Sequence, residues 1–249
     1  MKSSLEWLVA RPIAHRGLHD EASGVLENTA SAARAAIESR CAIECDVQVT
    51  ADGEAVVFHD FELERLTKRS GRVDAMPAEA LGKVAMRASA DRMMRLSDWL
   101  TLIGGRTVSV IEIKSRFDGD MRLLHRVIEV VRAYQGPFAL KSFDPLVVEK
   151  LREIAPEIPR GIVAMNDYGD RGHKSLSRAE IHALANLLHF SRTEPDFLSW
   201  HVSDLPCAAP YLCRTQLGLP VMAWTVRTPK ERKRASLHAD QMVFEGFKP

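Results

Sequence analysis

The sequence predicts an α/β fold, a (β/α)₈ TIM barrel with one short antiparallel hairpin after the second strand. Apolar, β-branched runs alternate with amphipathic stretches of helical period, which is the pattern of β/α units around a parallel sheet. If one hairpin return is left out, eight such runs remain, which is the number that closes this barrel. The length of 249 residues is also typical of the class.

The predicted elements follow one another along the chain. The strands are Pro12–His15, Ala42–Val47, Ala55–His59, Thr107–Lys114, Phe138–Ser142, Arg160–Ala164, Phe197–His201, Val221–Val226 and Gln241–Phe244. The helices are Thr29–Ser39, Leu96–Ile103, Asp120–Ala133, Leu146–Ile154, Arg178–Leu187, Ala208–Gln216 and Pro229–Leu237. Capping residues support them: Asn28 or Thr29 precedes the first helix, and Ser177 with Glu180 has capping-box spacing. Pro145 suits the first position of another helix.

One pair of strands breaks the alternation, because no helix fits between them. Val47–Thr50 is followed by Ala51-Asp52-Gly53 and then directly by Ala55–His59. Asp-Gly between two apolar runs is a strong hairpin signal. The run Ala55–His59 is therefore predicted to return antiparallel to the second barrel strand.

The domain organisation is predicted to be simple. No linker rich in Gly, Ser or Pro divides the chain, so residues 1–249 are expected to form one domain. The loosest region is Lys68–Arg95, which is polar and rich in Met and Arg, and it is predicted to be a long loop with one short helix. The basic run Arg227–Arg234 is predicted to be the solvated face of a helix.

Composition narrows the functional class. Lys and Arg number 34 and Asp and Glu number 33, a formal charge of +1, which argues against a nucleic-acid-binding surface. The four cysteines have neither C-x-x-C nor zinc spacing, so reduced thiols in a cytoplasmic protein are expected. The N-terminal segment MKSSLEWLVARP lacks the apolar core of a signal peptide. The sequence also lacks an apolar run long enough to span a membrane, so no stable membrane insertion is expected.

Carboxylates occur inside two of the most apolar strands. Strand alternation places Glu44 and Asp46 on one face and Cys45 on the other. Glu112 comes from another strand, where Lys114 shares its face. Buried carboxylates need a positive partner, which can be a Lys or Arg side chain or a divalent cation. Three oxygen ligands without Cys favour Mg²⁺ or Ca²⁺ over Zn²⁺.

Histidines follow two other predicted strands. One strand leads to His15-Arg16 and another leads to His59. In an α/β barrel the chemistry lies at the C-terminal strand ends, so these side chains are expected to meet the carboxylates. Two imidazoles can supply a general base and a general acid near neutral pH, and a metal with Arg16 and Lys114 suits a phosphate group. The pattern therefore indicates metal-assisted phosphoester chemistry.

The residues after His15-Arg16 receive different predictions. Gly17 is expected to allow close approach of the substrate, because it has no Cβ atom. His19 and Asp20 are expected to face solvent in a loop.

These motifs resemble the glycerophosphodiester phosphodiesterase family over most of the chain, and in the family's order. The matching stretches are AHRG (14–17), ENT (27–29), IECDVQVTADGEAVVFHDFELERLT (43–67), IEIK (111–114), SF (142–143) and WTV (224–226). The 43–67 block, with HRG before it and EIK after it, is highly specific. The resemblance implies a (β/α)₈ barrel that hydrolyses a small-molecule glycerophosphodiester to glycerol 3-phosphate and an alcohol, with Ca²⁺ or Mg²⁺.

The resemblance also implies a role for individual residues. Acid/base catalysis is assigned to His15 and His59. The implied metal ligands are Glu44, Asp46 and Glu112. The implied substrate-binding residues are Arg16 and Lys114 at the phosphate, Glu27 in a supporting role, and Trp224 at the pocket wall.

The sequence departs from the family pattern at several positions. Leu26 stands where Pro usually precedes ENT, and Arg227 follows WTV where Asn is common. The chain reads FEGFKP where the family usually shows Thr-Asp-x-Pro. The segment between His59 and Glu112 is short, so the family's insertion is expected to be reduced to a loop around 60–95.

Several alternatives stay open at the level of sequence. Either histidine can be the acid, and the attacking group can be water or a substrate hydroxyl that gives a cyclic phosphate. A second function is a phosphodiesterase for lysophospholipids or another phosphodiester, and a third is a non-catalytic binding barrel. Lipid chains would need an apolar groove, for which the available residues are Phe61, Leu63, Leu66, Met93 and Met94. The oligomeric state is left open.

Overall fold

A closed barrel of parallel strands forms the centre of the molecule. The computed structural model describes residues 5–168 and 176–249, and within these residues eight parallel strands close into a ring. The predicted barrel is therefore confirmed. The strands are β1 (Ile13–Ala14), β2 (Ala42–Val49), β3 (Ala55–Val57), β4 (Met94–Arg95), β5 (Ser109–Ile113), β6 (Phe138–Ser142), β7 (Arg160–Ala164), β8 (Phe197–His201), β9 (Val221–Val226) and β10 (Gln241–Phe244). All except β3 and β4 belong to the ring, and β10 pairs with β1.

Helices alternate with the barrel strands. They are α1 (Glu6–Val9), α2 (Ala30–Glu38), α3 (Ala78–Gly82), α4 (Leu96–Ile103), α5 (Arg122–Arg132), α6 (Pro145–Ile154), α7 (Arg178–Ala185), α8 (Phe190–Thr193), α9 (Ala208–Leu217) and α10 (Pro229–His238). The predicted caps form: the Thr29 hydroxyl accepts from Ala32 N, and Ser177 and Glu180 make a complete capping box. Such caps satisfy amides that the first helical turn leaves unpaired.

Strand alternation separates two kinds of interior. Ile43, Cys45 and Val47 of β2 face outward into the main apolar core, which the surrounding helices cover. Ala42 faces the inside of the ring, whose lower end is filled by a second apolar cluster. Glu44 and Asp46 have the same parity as Ala42, so the two carboxylates lie inside the barrel. The upper end of the ring is therefore left for polar groups.

The predicted hairpin is present and continues further than expected. β3 pairs antiparallel with β2, and β4, which falls in the predicted loop region, pairs antiparallel with β3. The segment around 60–95 also contains a 3₁₀ turn and α3, and it packs around its own apolar cluster. Leu63, Leu66 and Met93 are buried in that cluster. These three side chains are therefore not available to line an apolar groove for lipid chains, whereas Phe61 and Met94 are partly exposed.

The cysteines are free thiols. Cys41, Cys45 and Cys213 are buried, and burial raises the pKa of the Cys45 thiol well above its usual value. A buried thiol of this kind is chemically inert.

Within residues 5–168 and 176–249, the helices are too short or too polar to cross a membrane.

Gly17 makes a close backbone approach, but to a helix rather than to a substrate. Its φ is 80°, and a Cβ atom there would lie 2.7 Å from Ala32 Cβ in α2. We expect Gly17→Ala to lower the free energy of unfolding by roughly 2–4 kcal/mol, because left-handed strain and overpacking add. Gly218→Ala is the matched control, since φ there is 65° with no atom within 4 Å. Urea denaturation should show the smaller loss for Gly218→Ala, and equal losses would contradict the packing argument.

Candidate active site

A cavity of about 740 Å³ opens at the C-terminal ends of the barrel strands. The predicted site residues that line it are His15, Arg16, Asp46, His59, Glu112, Lys114 and Trp224. The other two predicted residues, Glu44 and Glu27, lie next to the cavity but do not line it. Glu44 is fully buried beside the cavity, and Glu27 contacts the Arg16 guanidinium. The fold therefore brings all the predicted side chains to one end of the barrel.

The carboxylates of Glu44, Asp46 and Glu112 form a buried acidic cluster. One oxygen of each lies within 4.8 Å of the others. The cluster forms because β2 and β5 pair in parallel with Asp46 opposite Glu112, so that their side chains leave the same face. A third acid, Glu44, precedes Asp46 by two residues, which is the period of a strand.

The loop after β1 reaches over this cluster with an unusual backbone. Arg16 and Asn28 both have left-handed φ values, 58° and 56°. Asn28 N donates to the Arg16 carbonyl at 2.8 Å, which ties the two loops together. As a result Arg16 N donates to Glu44 Oε2 at 3.0 Å, and Asn28 Nδ2 donates to Asp46 Oδ2 at 3.0 Å. Strain of this kind is typical of functional sites.

Two lysines share the oxygens of the acidic cluster. Lys114 Nζ lies 2.8 Å from Asp46 Oδ1 and also contacts Glu112 Oε1. Lys141 Nζ lies 3.1 Å from Glu44 Oε1 and 3.2 Å from Glu112 Oε2. Burial opposes the charge of Lys141, but the carboxylates raise its pKa above the usual value. Burial also opposes ionisation of Asp46, and Lys114 nevertheless holds the pKa of that carboxyl well below its usual range.

The donor set fits a hard divalent cation. It consists of carboxylate oxygens only, which is the chemistry that Mg²⁺ and Ca²⁺ prefer. Glu44 Oε1 is buried and accepts no hydrogen bond of good geometry, although Lys141 Nζ lies 3.1 Å away. An oxygen in that state has lone pairs available for a cation. The cluster is therefore suited to a metal, and Lys114 and Lys141 are the ammonium groups already beside it.

His15 is held by a carboxylate, Glu245, that no sequence pattern predicts as a site residue. Its Nδ1 hydrogen-bonds to Glu245 Oε2, directly after β10. Arg227 Nε donates to the other oxygen of Glu245 at 2.6 Å. Although burial opposes ionisation, the hydrogen bond with His15 keeps the pKa of Glu245 well below its usual range. With Nδ1 engaged, Nε2 of His15 is the nitrogen available for proton transfer.

His59 is held in the same way on the other side. Its Nδ1 hydrogen-bonds to Asp60 Oδ1 at 2.6 Å, and Arg65 Nε donates to Asp60 Oδ2 at 2.6 Å. Arg65 also bonds both oxygens of Glu27, whose pKa falls to about 2 despite burial. Burial and the charge of Lys114 lower the pKa of His59. Each imidazole thus belongs to a His–carboxylate–Arg triad.

Phe143 and Trp224 form an aromatic wall of the cavity. Trp224 Nε1 donates to the Ser199 carbonyl at 2.9 Å, which fixes the indole. The Phe143 ring packs edge-on against Trp224 at a centroid distance of 5.4 Å, and the His201 ring packs on it at 5.0 Å. Rigid aromatic walls of this kind bury the non-reacting part of a small ligand.

Two expectations about individual residues are wrong. His19 does not face solvent: its side chain is 20% exposed, and Nε2 lies 3.6 Å from Glu245 Oε2. Within the basic run Arg227–Arg234, Lys230, Arg232 and Lys233 are exposed on α10 as predicted. Arg227 is the exception, because it precedes α10 and, although 51% exposed, binds Glu245 at the cavity. Both errors have one cause, since Glu245 reaches them only when the barrel closes.

Lys141 and Asp60 are two further residues of the cavity that were not predicted as site residues. Lys141 had a usable signal, because it is a charged residue inside the apolar strand β6 and two residues from the inward-facing Ala139. Asp60 follows His59 directly, and such a neighbour has no distinguishing pattern. Only the structure pairs them.

Relatives of known structure share the fold. The chain superposes on a phosphodiesterase of Oleispira antarctica, solved in complex with the product sn-glycerol-3-phosphate, with a TM-score of 0.75. The two are 19% identical, over 96% of this chain and 94% of that one. A glycerophosphodiester phosphodiesterase of Thermotoga maritima gives a TM-score of 0.71 at 21% identity, over 93% of this chain and 92% of that one.

Sequence comparison assigns the family. A glycerophosphodiester phosphodiesterase of Caldanaerobacter subterraneus subsp. tengcongensis is 29% identical over 182 residues, which cover 69% of this chain and 73% of the relative. The model of the glycerophosphoryl diester phosphodiesterase family matches residues 15–243, from the first histidine of the site to the last barrel strand. The chain therefore belongs to the glycerophosphoryl diester phosphodiesterase family of hydrolases.

Proposed function

We propose that this chain hydrolyses glycerophosphodiesters to glycerol 3-phosphate and an alcohol, with Ca²⁺ or Mg²⁺ as cofactor. The observation that carries the proposal is the meeting of two His–carboxylate–Arg triads and a buried acidic cluster in one cavity. The product bound to the Oleispira antarctica phosphodiesterase supports the choice of glycerol 3-phosphate. The substrate is a small molecule, in keeping with a cavity of about 740 Å³.

Glu44, Asp46 and Glu112 would hold the cation. With a cation held there, charge that develops on the phosphate oxygens during phosphorus–oxygen cleavage would be neutralised. Arg16 and Lys114 face the same space and supply further positive charge to the phosphate. Asn28 and the Arg16 amide orient the carboxylates through direct hydrogen bonds, so the ligand set is arranged before a cation arrives.

The two imidazoles would move the protons. One takes a proton from the attacking group, which is water or a substrate hydroxyl, and the other gives a proton to the oxygen of the leaving alcohol. Where a substrate hydroxyl attacks, water must then open the cyclic phosphate to give glycerol 3-phosphate, with the two proton-transfer roles exchanged. Because its pKa is lowered, His59 is neutral near pH 7 and suits the role of base. His15 then serves as the acid, and the Glu245 carboxylate orients its ring and stabilises its positive charge.

We also infer that the enzyme works in the cytoplasm on free diesters. The four free thiols suit a reducing compartment. Nucleic acid is not a proposed partner, because the formal charge is only +1 and the cavity cations are paired with carboxylates.

A product assay with chelation tests the proposal. Purified protein is incubated with glycerophosphocholine or glycerophosphoethanolamine, and glycerol 3-phosphate is measured with a coupled dehydrogenase. We expect release of glycerol 3-phosphate that falls at least about 100-fold in EDTA, because transition-state charge is then left uncompensated. Excess Mg²⁺ or Ca²⁺ should restore it. Activity that survives both EDTA and the His15→Ala substitution would refute the proposal.

A further inference from the structure

Lys141 places a fixed positive charge inside the proposed cation site. It lies on β6, where the parallel register sets it opposite Glu112 on β5. Its side chain is 3% exposed, and its Nζ lies 3.1 Å from Glu44 and 3.2 Å from Glu112. The family resemblance implies a phosphate-binding role for Lys114, but it implies no role for Lys141. Lys141 therefore needs an explanation of its own.

The two lysines of the cluster differ in freedom. Lys114 follows the end of β5 and is 12% exposed, so its ammonium can turn toward a bound phosphate. Lys141 lines the same cavity but lies within β6 and is only 3% exposed, and its described ion-pair partners are Glu44 and Glu112. A cation that binds these carboxylates must share them with Lys141 or displace its ammonium.

The charges of the acidic cluster are largely balanced before a divalent cation binds. The three carboxylates contribute three negative charges, and the two ammonium groups already offset two of them. The Arg16 guanidinium, which lies 3.2 Å from Asp46 and is shared with Glu27, faces the third. Like charges a few ångströms apart in a site with little water repel strongly. A divalent ion entering this cluster therefore gains less electrostatic energy than it would in an uncompensated one.

We propose that Lys141 is a resident counter-ion that competes with the divalent cation and keeps the site at low affinity. The inference rests on the proposed cation site. It adds that cation occupancy is set by Lys141 and not by the number of carboxylates alone. In the cation-free state the same ammonium stabilises the barrel interior, because it neutralises carboxylates that would otherwise repel one another.

The test compares variants at position 141 by direct cation titration. Calorimetry with CaCl₂ and MgCl₂ on chelator-treated protein should show that Lys141→Gln binds about 10- to 100-fold more tightly than wild type. Lys141→Arg keeps the charge and should bind about as weakly as wild type. Lys83→Gln is the distant control, since Lys83 is 74% exposed and pairs only with Glu79 among its described ion-pair partners. It should leave the affinity unchanged.

Thermal unfolding gives a second readout that does not need turnover. In EDTA, the Tm of Lys141→Gln should be lower than that of wild type. On addition of Ca²⁺, the Tm of Lys141→Gln should rise by more than the Tm of wild type does. If Lys141→Gln fails to fold without cation, Lys141→Met purified with Ca²⁺ present takes its place in the same comparison.

Two outcomes would overturn the inference, and they differ in reach. Equal or weaker cation binding in the neutral variants would show that Lys141 positions the ligands instead of competing, while the cation site itself stands. Absence of heat and of stabilisation in every chain at about 10 mM cation, far above the usual range for such sites, would remove the proposed cofactor as well.

Discussion

The His15→Gln variant is expected to release glycerol 3-phosphate about 10³-fold more slowly than wild type at saturating substrate. Glutamine keeps a polar side chain near Glu245 but cannot transfer a proton at Nε2. The KM should change less than about threefold, because phosphate binding rests on Arg16, Lys114 and the cation. Steady-state kinetics with the coupled assay gives both numbers.

His19→Gln is the matched control for this prediction. His19 approaches the same Glu245 carboxylate at 3.6 Å, yet it does not line the cavity. Its replacement should lower kcat less than about fivefold, since no proton transfer depends on it. A His15→Gln chain that keeps more than a tenth of wild-type turnover, or that matches His19→Gln, would exclude His15 as an acid/base residue.

The second large effect is expected from Asp46→Asn. The Asp46 carboxylate contacts Lys114 Nζ at 2.8 Å, Arg16 Nε at 3.2 Å and Asn28 Nδ2 at 3.0 Å. The amide removes the charge that Lys114 and Arg16 both face, so turnover should fall at least about 10³-fold. The free energy of unfolding should drop by about 1–3 kcal/mol, because the largely buried ammonium of Lys114 loses one of its charged partners.

Two measurements separate these effects. Urea denaturation gives the stability change, and calorimetric titration with Ca²⁺ gives the loss of cation binding at temperatures where the variant is folded. Asp98→Asn, an exposed carboxylate in the first turn of α4, is the control and should change turnover very little. Asp46→Asn with wild-type cation affinity would remove Asp46 from the ligand set.

Much of the fold followed from local patterns. Alternation along β2 and β5 placed Glu44, Asp46 and Glu112 inside the barrel, because side-chain direction in a strand depends only on parity. The hairpin followed from Asp52-Gly53. Strand β4 was not predicted, since two residues of an edge strand carry no period. Its pairing with β3 depends on where the whole 60–95 segment packs.

The part of the site that escaped prediction depends on distance along the chain. Glu245 lies after the last strand, in a stretch with no periodicity, and its partner His15 is 230 residues away. Its role becomes visible only when β10 pairs with β1. Lys141 had a signal, a charged residue inside an apolar strand, but its partners follow only from the pairing of β6 with β5, which sets it opposite Glu112.

The His15–Glu245 contact has a kinetic consequence, because it spans the seam where the first and last strands of the ring meet. A chain whose other strands have paired already has its acidic cluster, since β2 and β5 are neighbours. It does not yet have an oriented His15, because Glu245 arrives with the final strand. Hydrolysis should therefore begin only when the seam closes. During refolding, the onset of turnover then times ring closure, whereas the far-ultraviolet dichroism signal records secondary structure whether or not the ring is complete.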